Sequence, residues 1–248
     1  MSLKVALFAT CIVDTLRPEI GFASLALLEA AGCQVSVPGQ SCCGQPNYNN
    51  GDEQGARALA EQWLSQFEAY DYVVIPSGSC AAMLKQHSPE LFSDRPELQA
   101  RMQALSDRCY ELSEFLSSVV SPRFDDLPAL RVCYHDSCSG LRELGIKTQP
   151  RGLLAKIPSL QLSELSNAEA CCGFGGTFCV KHPEISCRLA DDKIAAIEKA
   201  DAETLVGGDW GCLMHLQGRI QERGKAIEVK HFSEVLVQAI KQEGSSHA

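Results

Sequence analysis

The chain has few aromatic residues, no long apolar run and no excess of positive charge. Aromatic residues make up 6% of its 248 residues. No stretch approaches the ~18–20 apolar residues that a membrane helix needs, and no basic segment with an apolar core and a cleavage site opens the sequence. The net charge of −9 argues against general binding to nucleic acid or anionic membranes. We therefore expect a cytoplasmic protein with no membrane span and no nucleic-acid partner.

Cysteine, by contrast, is abundant. Thirteen cysteines are an odd number and are too dilute in 248 residues for a small disulfide scaffold. Because cytosolic thiols stay reduced, a patterned set of cysteines indicates metal or redox chemistry rather than crosslinks. A disulfide framework is the alternative if the protein is exported by another route.

Eight of these cysteines form two matching sets. The first set is Cys11, Cys42, Cys43 and Cys80, and the second is Cys138, Cys171, Cys172 and Cys212. In both sets a Cys-Cys-Gly triplet follows the first cysteine, after 30 residues in one and 32 in the other. The last cysteine follows that pair after 36 and 39 residues. This internal repeat predicts a duplicated domain, with one copy at residues 1–122 and the other at 123–248.

The segments between the cysteines alternate between strand and helix patterns. Short apolar runs precede the first and last cysteine of each set, and residues 56–67 have the apolar spacing of an amphipathic helix. Pro183 is predicted to open another helix. Residues 112–116 and 232–236 match each other, and Ser113 and Ser233 are predicted to cap helices there. The fold class is therefore α/β: two tandem, duplicated βαβ (Rossmann-like) domains with parallel sheets.

The repeated cysteines follow strands, and the carboxyl ends of parallel strands line a ligand crevice. Thiolates are ligands for Zn²⁺ and for iron–sulfur clusters. Four sulfurs per half match a site with four ligands, so all eight repeated cysteines are predicted metal or cluster ligands. Zn²⁺ in one or both sites is the alternative to iron–sulfur clusters.

Five residues beside these ligands are further candidates. Gly44 and Gly173 are expected to allow a positive φ or a close backbone approach. His135 and Asp136 are candidates to tune a cluster or to relay protons, the alternative being ordinary polar groups at a strand end. Cys179 could return to the second site through the glycine-rich run that precedes it.

The remaining cysteines are interpreted differently, as core residues, because they lie within strand or helix patterns. They are Cys33, Cys109, Cys133 and Cys187. Met83 and His215 each stand three residues after the last cysteine of a set. Thioether is a poor cluster ligand and His215 has no histidine counterpart in the first half, so neither is predicted to be a ligand.

Several segments carry a family resemblance that covers nearly the whole chain. They are Phe8-Ala9-Thr10-Cys11, Gln40-Ser41-Cys42-Cys43-Gly44-Gln45-Pro46, Ser77-Gly78-Ser79-Cys80, Tyr134-His135-Asp136-Ser137-Cys138 and Cys171-Cys172-Gly173-Phe174-Gly175-Gly176-Thr177-Phe178. The chain resembles the cysteine-rich CCG family, which includes the cysteine-rich subunit of heterodisulfide reductase, the glycolate oxidase iron–sulfur subunit and the lactate utilization protein A group. Its short, two-repeat length is most similar to that last group.

This resemblance implies an iron–sulfur protein, with up to one [4Fe–4S] cluster per half. It implies a non-autonomous oxidoreductase subunit that transfers electrons in the oxidation of L-lactate to pyruvate. Partners of B and C type, one of them with ferredoxin-type clusters, are expected. The alternatives are a glycolate-oxidase-type iron–sulfur subunit, a thiol/disulfide redox subunit like that of heterodisulfide reductase, and a non-redox zinc module.

The sequence departs from the heterodisulfide reductase pattern at one point. In that relative each set ends Cys-x-x-Cys, whereas here the sets end Cys80-Ala81-Ala82-Met83 and Cys212-Leu213-Met214-His215. The missing fifth thiolate argues against the fused-cluster form and its disulfide chemistry. The sequence also has no flavin or nicotinamide fingerprint and no ferredoxin-type cysteine run, so partners are expected to supply those functions.

Overall fold

Each half of the chain forms one four-stranded parallel sheet. A computed structural model describes residues 2–240. The strands of the first sheet are β1 (Lys4–Leu7), β2 (Gln34–Ser36), β3 (Tyr72–Ile75) and β4 (Cys109–Glu111). Those of the second are β5 (Leu130–His135), β6 (Leu160–Ser163), β7 (Thr204–Gly207) and β8 (Glu228–His231). The strand orders, β2-β1-β3-β4 and β6-β5-β7-β8, are equivalent, and every neighbouring pair is parallel. The predicted duplicated α/β fold with parallel sheets is confirmed.

Helices connect the strands in both halves. In the first half they are α1 (Cys11–Leu16), α2 (Pro18–Ala30), α3 (Gln45–Asn49), α4 (Glu53–Phe67), α5 (Gly78–Ala82), α6 (Ser88–Glu90), α7 (Pro96–Ser106) and α8 (Leu112–Ser118), with a π-helical turn at Met83–His87. In the second they are α9 (Cys138–Leu144), α10 (Thr148–Leu154), α11 (Phe178–Lys181), α12 (Pro183–Lys199), α13 (Trp210–Glu222) and α14 (Phe232–Gln238). The predicted start of α12 at Pro183 is confirmed. Among the described residues, no helix is both long and apolar enough to cross a bilayer.

The predicted caps at Ser113 and Ser233 are wrong by two residues. α8 is capped by Glu111, whose carboxylate accepts hydrogen bonds from the backbone N–H groups of Ser113 and Glu114. His231 caps α14 in the same way, through a ring nitrogen that accepts from the backbone of Ser233. In both halves the strand runs directly into the helix, so the last strand residue takes the cap position.

The two halves share a hydrophobic core. One central cluster contains Leu7 and Val74 from the first sheet and Val132 and Val206 from the second. Helix α14 packs on α2, and α10 packs on α8, so helices of each half cover the other. The boundary between residues 122 and 123 stays a prediction, and residues 241–248 of the second predicted domain lie outside the described part of the chain.

Candidate metal centre

A single crevice of about 360 Å³ is lined by all eight repeated cysteines. It lies where β1, β3, β5 and β7 end, since the first or last cysteine of a set follows each of these strands. The sequence predicts one sulfur site per half at a strand-end crevice. The structure places the two groups of sulfurs in one crevice between the halves.

The first quartet comprises Cys11, Cys42, Cys43 and Cys80. Its sulfurs form a chain of side-chain contacts from Cys11 to Cys42, from Cys42 to Cys43 and from Cys43 to Cys80. The Sγ atoms of Cys43 and Cys80 are 3.2 Å apart. Thr10, which caps α1 just before Cys11, has φ 62° and ψ 146°. Such a conformation costs a non-glycine residue ~1–3 kcal/mol and is found mainly at functional sites.

The second quartet comprises Cys138, Cys171, Cys172 and Cys212, and repeats this arrangement. Side-chain contacts run from Cys138 to Cys171, on to Cys172 and from there to Cys212. The backbone N–H groups that follow the cysteine pair donate to its sulfurs. The N–H of Gly173 donates to Sγ of Cys171, and that of Phe174 to Sγ of Cys172, each with an N···S distance of 3.4 Å. Hydrogen bonds of this kind stabilise thiolates.

Hydrogen bonds between neighbouring cysteines place negative charge on one sulfur of each metal-free quartet. Hydrogen bonds from Cys11 and Cys43 hold the pKa of Cys42 far below its ordinary value. The hydrogen bond to Cys42 and burial raise the pKa of Cys11. Cys171 has the same depressed pKa, because Cys138 and Cys172 donate to it. Without metal, the other cysteines with shifted pKa values stay protonated around one thiolate in each quartet. A bound cation or cluster would displace those protons, and four cysteine sulfurs are a donor set that fits both Zn²⁺ and [4Fe–4S].

The glycines of the Cys-Cys-Gly triplets have the predicted positive φ. It is 89° at Gly44 and 93° at Gly173. A Cβ on Gly173 would lie 2.5 Å from the carbonyl oxygen of Ser186, which no side chain can occupy without displacing α12. Glycine thus allows the cysteine pair to turn close to the helix that follows.

His135 lies beside the second quartet. It is 1% exposed, and one of its ring nitrogens and the sulfurs of Cys172 and Cys212 are all within 4.8 Å of one another. Neither ring nitrogen has a hydrogen-bond partner within residues 2–240. Burial lowers the pKa of His135 to about 3, so its imidazole is neutral and can act as a ligand.

Asp136 and Cys179 have other contacts. Both carboxylate oxygens of Asp136 accept from Arg151, at 2.8 and 2.9 Å, in a buried ion pair. Cys179 donates to the carbonyl of Gly176 at 3.1 Å and is absent from the described lining of the crevice. The structure therefore brings His135, but neither Asp136 nor Cys179, to the sulfurs.

The cysteines interpreted as core residues are mostly buried. Cys109 and Cys133 are fully buried, Cys33 nearly so, and Cys187 is half-buried on α12. Met83 is also fully buried, in the same apolar cluster as Cys43.

The sequence gives no signal for the contacts that join the halves at the crevice. Asp209 accepts from the backbone N–H of Ser79 at 2.9 Å and from the hydroxyl of Ser77 at 3.1 Å. At the mouth, Lys181 donates to the side chain of Asn50 at 3.0 Å. These pairs are more than 120 residues apart in sequence, so only the packing of the halves reveals them.

Together, the fold and the two quartets define a duplicated α/β protein built from cysteine-rich repeats. The family model of the CCG cysteine-rich domain matches residues 5–85 and 132–217. The chain is 46% identical to lactate utilization protein A of Geobacillus kaustophilus, over 94% of this chain and 98% of that protein. It is 45% identical to lactate utilization protein A of Halalkalibacterium halodurans, over 94% and 96%. The chain belongs to the CCG cysteine-rich domain family, with relatives named lactate utilization protein A.

A solved structure supports the fold. A hypothetical protein from Helicobacter pylori superposes with a TM-score of 0.73 at 10% identity, covering 97% of this chain. The present chain spans about half (49%) of that protein. At this identity the likeness concerns the arrangement of the two sheets and their helices.

Proposed function

We propose that this protein is a cytoplasmic iron–sulfur electron-transfer subunit that serves lactate utilization, with one centre in each half. The observation that carries the proposal is the convergence of two sulfur quartets on one crevice. The name of its relatives supplies the metabolic role. The reaction that we propose for this system is the oxidation of L-lactate to pyruvate.

In this proposal the cysteines hold the metal and the surrounding protein sets its properties. An iron–sulfur cluster, when bound, accepts and donates single electrons. The first and last cysteine of each set lie in the first turn of a helix that follows a strand, and each cysteine pair lies in a loop that turns at its glycine. The backbone N–H groups of Gly173 and Phe174 stabilise negative charge on the second cysteine pair. Burial of Cys43, Cys172 and Cys212 limits access of water to each centre.

Lactate oxidation needs a second component. Removing two electrons from a hydroxy acid needs an acceptor of hydride type, and the sequence has no flavin or nicotinamide fingerprint. We propose that B- and C-type partner proteins, one with ferredoxin-type clusters, supply the remaining redox groups. This chain would then be one stage in electron transfer rather than an autonomous dehydrogenase.

Metal analysis tests the centre directly. Protein purified without oxygen is expected to contain iron and acid-labile sulfide, in amounts corresponding to two clusters per chain or to one cluster beside one zinc ion. Zinc without iron or sulfide would refute electron transfer and favour the non-redox zinc module. Anaerobic handling matters because oxidised vicinal cysteines cannot bind metal.

Growth tests the substrate. Deletion of the gene from a strain that has no other lactate oxidase is expected to abolish growth on L-lactate and to leave growth on glycolate unchanged. Unimpaired growth on L-lactate would contradict the assignment, and loss of growth on glycolate alone would favour a glycolate-oxidase-type subunit.

The shared crevice favours a second candidate. Space between two sulfur sites can admit a small disulfide, as thiol/disulfide chemistry at a heterodisulfide-reductase-like centre requires. The missing fifth thiolate in each set argues against it. Reduction of a heterodisulfide by metal-loaded protein with an artificial electron donor would establish this function, and its absence would exclude it.

A further inference from the structure

The second quartet has a nitrogen donor next to it that the cysteine repeat does not account for. His135 ends β5, three residues before Cys138, and is 1% exposed. One of its ring nitrogens lies within 4.8 Å of the sulfurs of both Cys172 and Cys212. A buried imidazole with no hydrogen-bond partner in residues 2–240 leaves a polar group unsatisfied, which costs about 1–3 kcal/mol. A metal ion or cluster between the sulfurs would satisfy it.

Within residues 2–240, no histidine takes the equivalent place beside the first quartet. Phe8 stands three residues before Cys11, as His135 stands three residues before Cys138. It is fully buried and packs against Phe67, with ring centroids 5.5 Å apart. An imidazole at the equivalent place in an otherwise repeated site is therefore a specific difference between the halves, not a property of the repeat.

Another histidine near the second quartet has a different environment. His215 is only half-buried, and its Nε2 is 3.1 Å from the hydroxyl of Ser186. That nitrogen is already engaged in a hydrogen bond to α12. Proximity to the sulfurs thus does not by itself leave a histidine without partners, and His215 provides a matched control.

We propose that His135 is a nitrogen ligand of the metal centre in the second half, so that the two centres differ in their donor atoms. This inference rests on the metal binding in the proposed function, not on the substrate. The first centre has thiolate ligands only. In the second, the imidazole joins the cysteine sulfurs, or replaces one of them, at the metal.

A mixed donor set changes the properties of the second centre. Imidazole is neutral, whereas thiolate is negative, so a histidine ligand makes the reduced state of a cluster easier to reach. The second centre is therefore expected to have the higher reduction potential. In electron transfer between the halves, it would be the acceptor.

Magnetic resonance on the unmodified, metal-loaded protein tests the ligand. Electron–nuclear double resonance of the reduced clusters is expected to show one strongly coupled nitrogen, whose frequency changes when the protein contains nitrogen-15-labelled histidine. If the second site holds zinc, X-ray absorption at the zinc edge is expected to show one imidazole among sulfur ligands. A spectrum with sulfur ligands only would overturn the proposal.

Two variants assign the signal. His135→Phe copies the first half and is expected to remove the nitrogen coupling while most of the iron and sulfide remains. His215→Gln is expected to leave the coupling unchanged. A coupling that survives in His135→Phe refutes the role of His135. Absence of iron and zinc from wild-type protein would instead refute the proposed function, so the two failures are distinguishable.

Discussion

The two quartets have the same sulfurs in the same order, but their surroundings differ in chemistry. At three equivalent places the first half has an apolar or aromatic side chain that does not titrate, and the second has a histidine or a lysine. The pairs are Phe8 and His135, Met83 and His215, and Trp63 and Lys193. The backbone carbonyls of Ala56 and Ser186 face Gly44 and Gly173, respectively. Trp63 and Lys193 each stand seven residues after these, so they occupy equivalent places. Duplication has thus kept the cysteines and changed the side chains that surround them.

Lys193 illustrates the difference most clearly. It is fully buried on α12, and its ammonium donates to the backbone carbonyls of Asn167 and Ala168. Trp63, its counterpart on α4, lies in an apolar cluster with Cys43. A buried cation favours negative charge on the nearby sulfurs, and an indole does not. Lys193 therefore favours negative charge on the second quartet, whereas the Asp209 carboxylate, which raises the pKa of Cys212, opposes it.

The largest expected effect is the loss of metal when one quartet at a time is disrupted by substitution. Cys43→Ser is expected to abolish the first centre, and Cys172→Ser the second, because each sulfur lies within its chain of four. Each variant should lose roughly half of the iron and sulfide, if both centres are clusters, measured by chemical analysis after anaerobic purification. Complete loss in either variant would show that the halves do not bind metal independently.

A cysteine outside the quartets is the control. Cys179→Ser changes a thiol that bonds to the Gly176 carbonyl and lies off the described crevice lining. It should retain full metal content. A deficit in this variant would return Cys179 to the set of predicted ligands.

The glycines give the next largest difference. Gly44→Ala is expected to cost about 1 kcal/mol, because only its φ of 89° opposes a side chain and the nearest atom is 3.6 Å away. Gly173→Ala should cost about 3 kcal/mol or more, since its Cβ would also meet the Ser186 carbonyl at 2.5 Å. Urea denaturation of metal-free protein measures both. Equal losses would mean that α12 moves aside easily.

Much of this architecture is predictable from the sequence, because it depends on local patterns. The cysteine repeat indicates the duplication, apolar runs indicate β1, β3, β5 and β7, and Gly44 and Gly173 have their predicted positive φ. The crevice shared by the halves was not predictable. It depends on the central core and on long-range pairs such as Asp209 with Ser79, which no periodicity encodes. The caps at Glu111 and His231 were missed because both residues also end strands.

These two caps predict opposite responses to pH. Burial raises the pKa of Glu111 from near 4.5 to about 7, so the native state binds a proton that the unfolded chain releases. Its contribution is fully present below about pH 4.5 and is lost as the pH rises to about 7. Burial lowers the pKa of His231 from 6.5 to about 3, so its contribution is lost as the pH falls through that interval.

Substitution separates the pH-dependent contributions of Glu111 and His231. The wild-type protein is expected to lose about 2 kcal/mol of its free energy of unfolding between pH 5 and 7, and Glu111→Gln is expected to remove this loss. His231→Asn keeps a capping acceptor and is expected to reduce the loss of stability as the pH falls below 6.5. Urea midpoints of the metal-free protein between about pH 3 and pH 7 provide the measurement. A Glu111→Gln variant with an unchanged pH profile would show that the carboxyl ionises normally in the folded protein.

The smallest expected effect concerns the buried cation. Lys193→Met removes a positive charge from behind the second quartet, so the reduced state of that centre loses about 1 kcal/mol of stabilisation and its potential falls by about 40 mV. Arg188→Gln removes a cation from the same helix whose side chain is 79% exposed, where solvent screens it, and should shift neither potential. Redox titration followed by electron paramagnetic resonance separates the two centres. A shift in the first centre, or equal shifts in both, would mean that the field of Lys193 is not confined to its own half, and the difference between the quartets would then reside in His135 and His215.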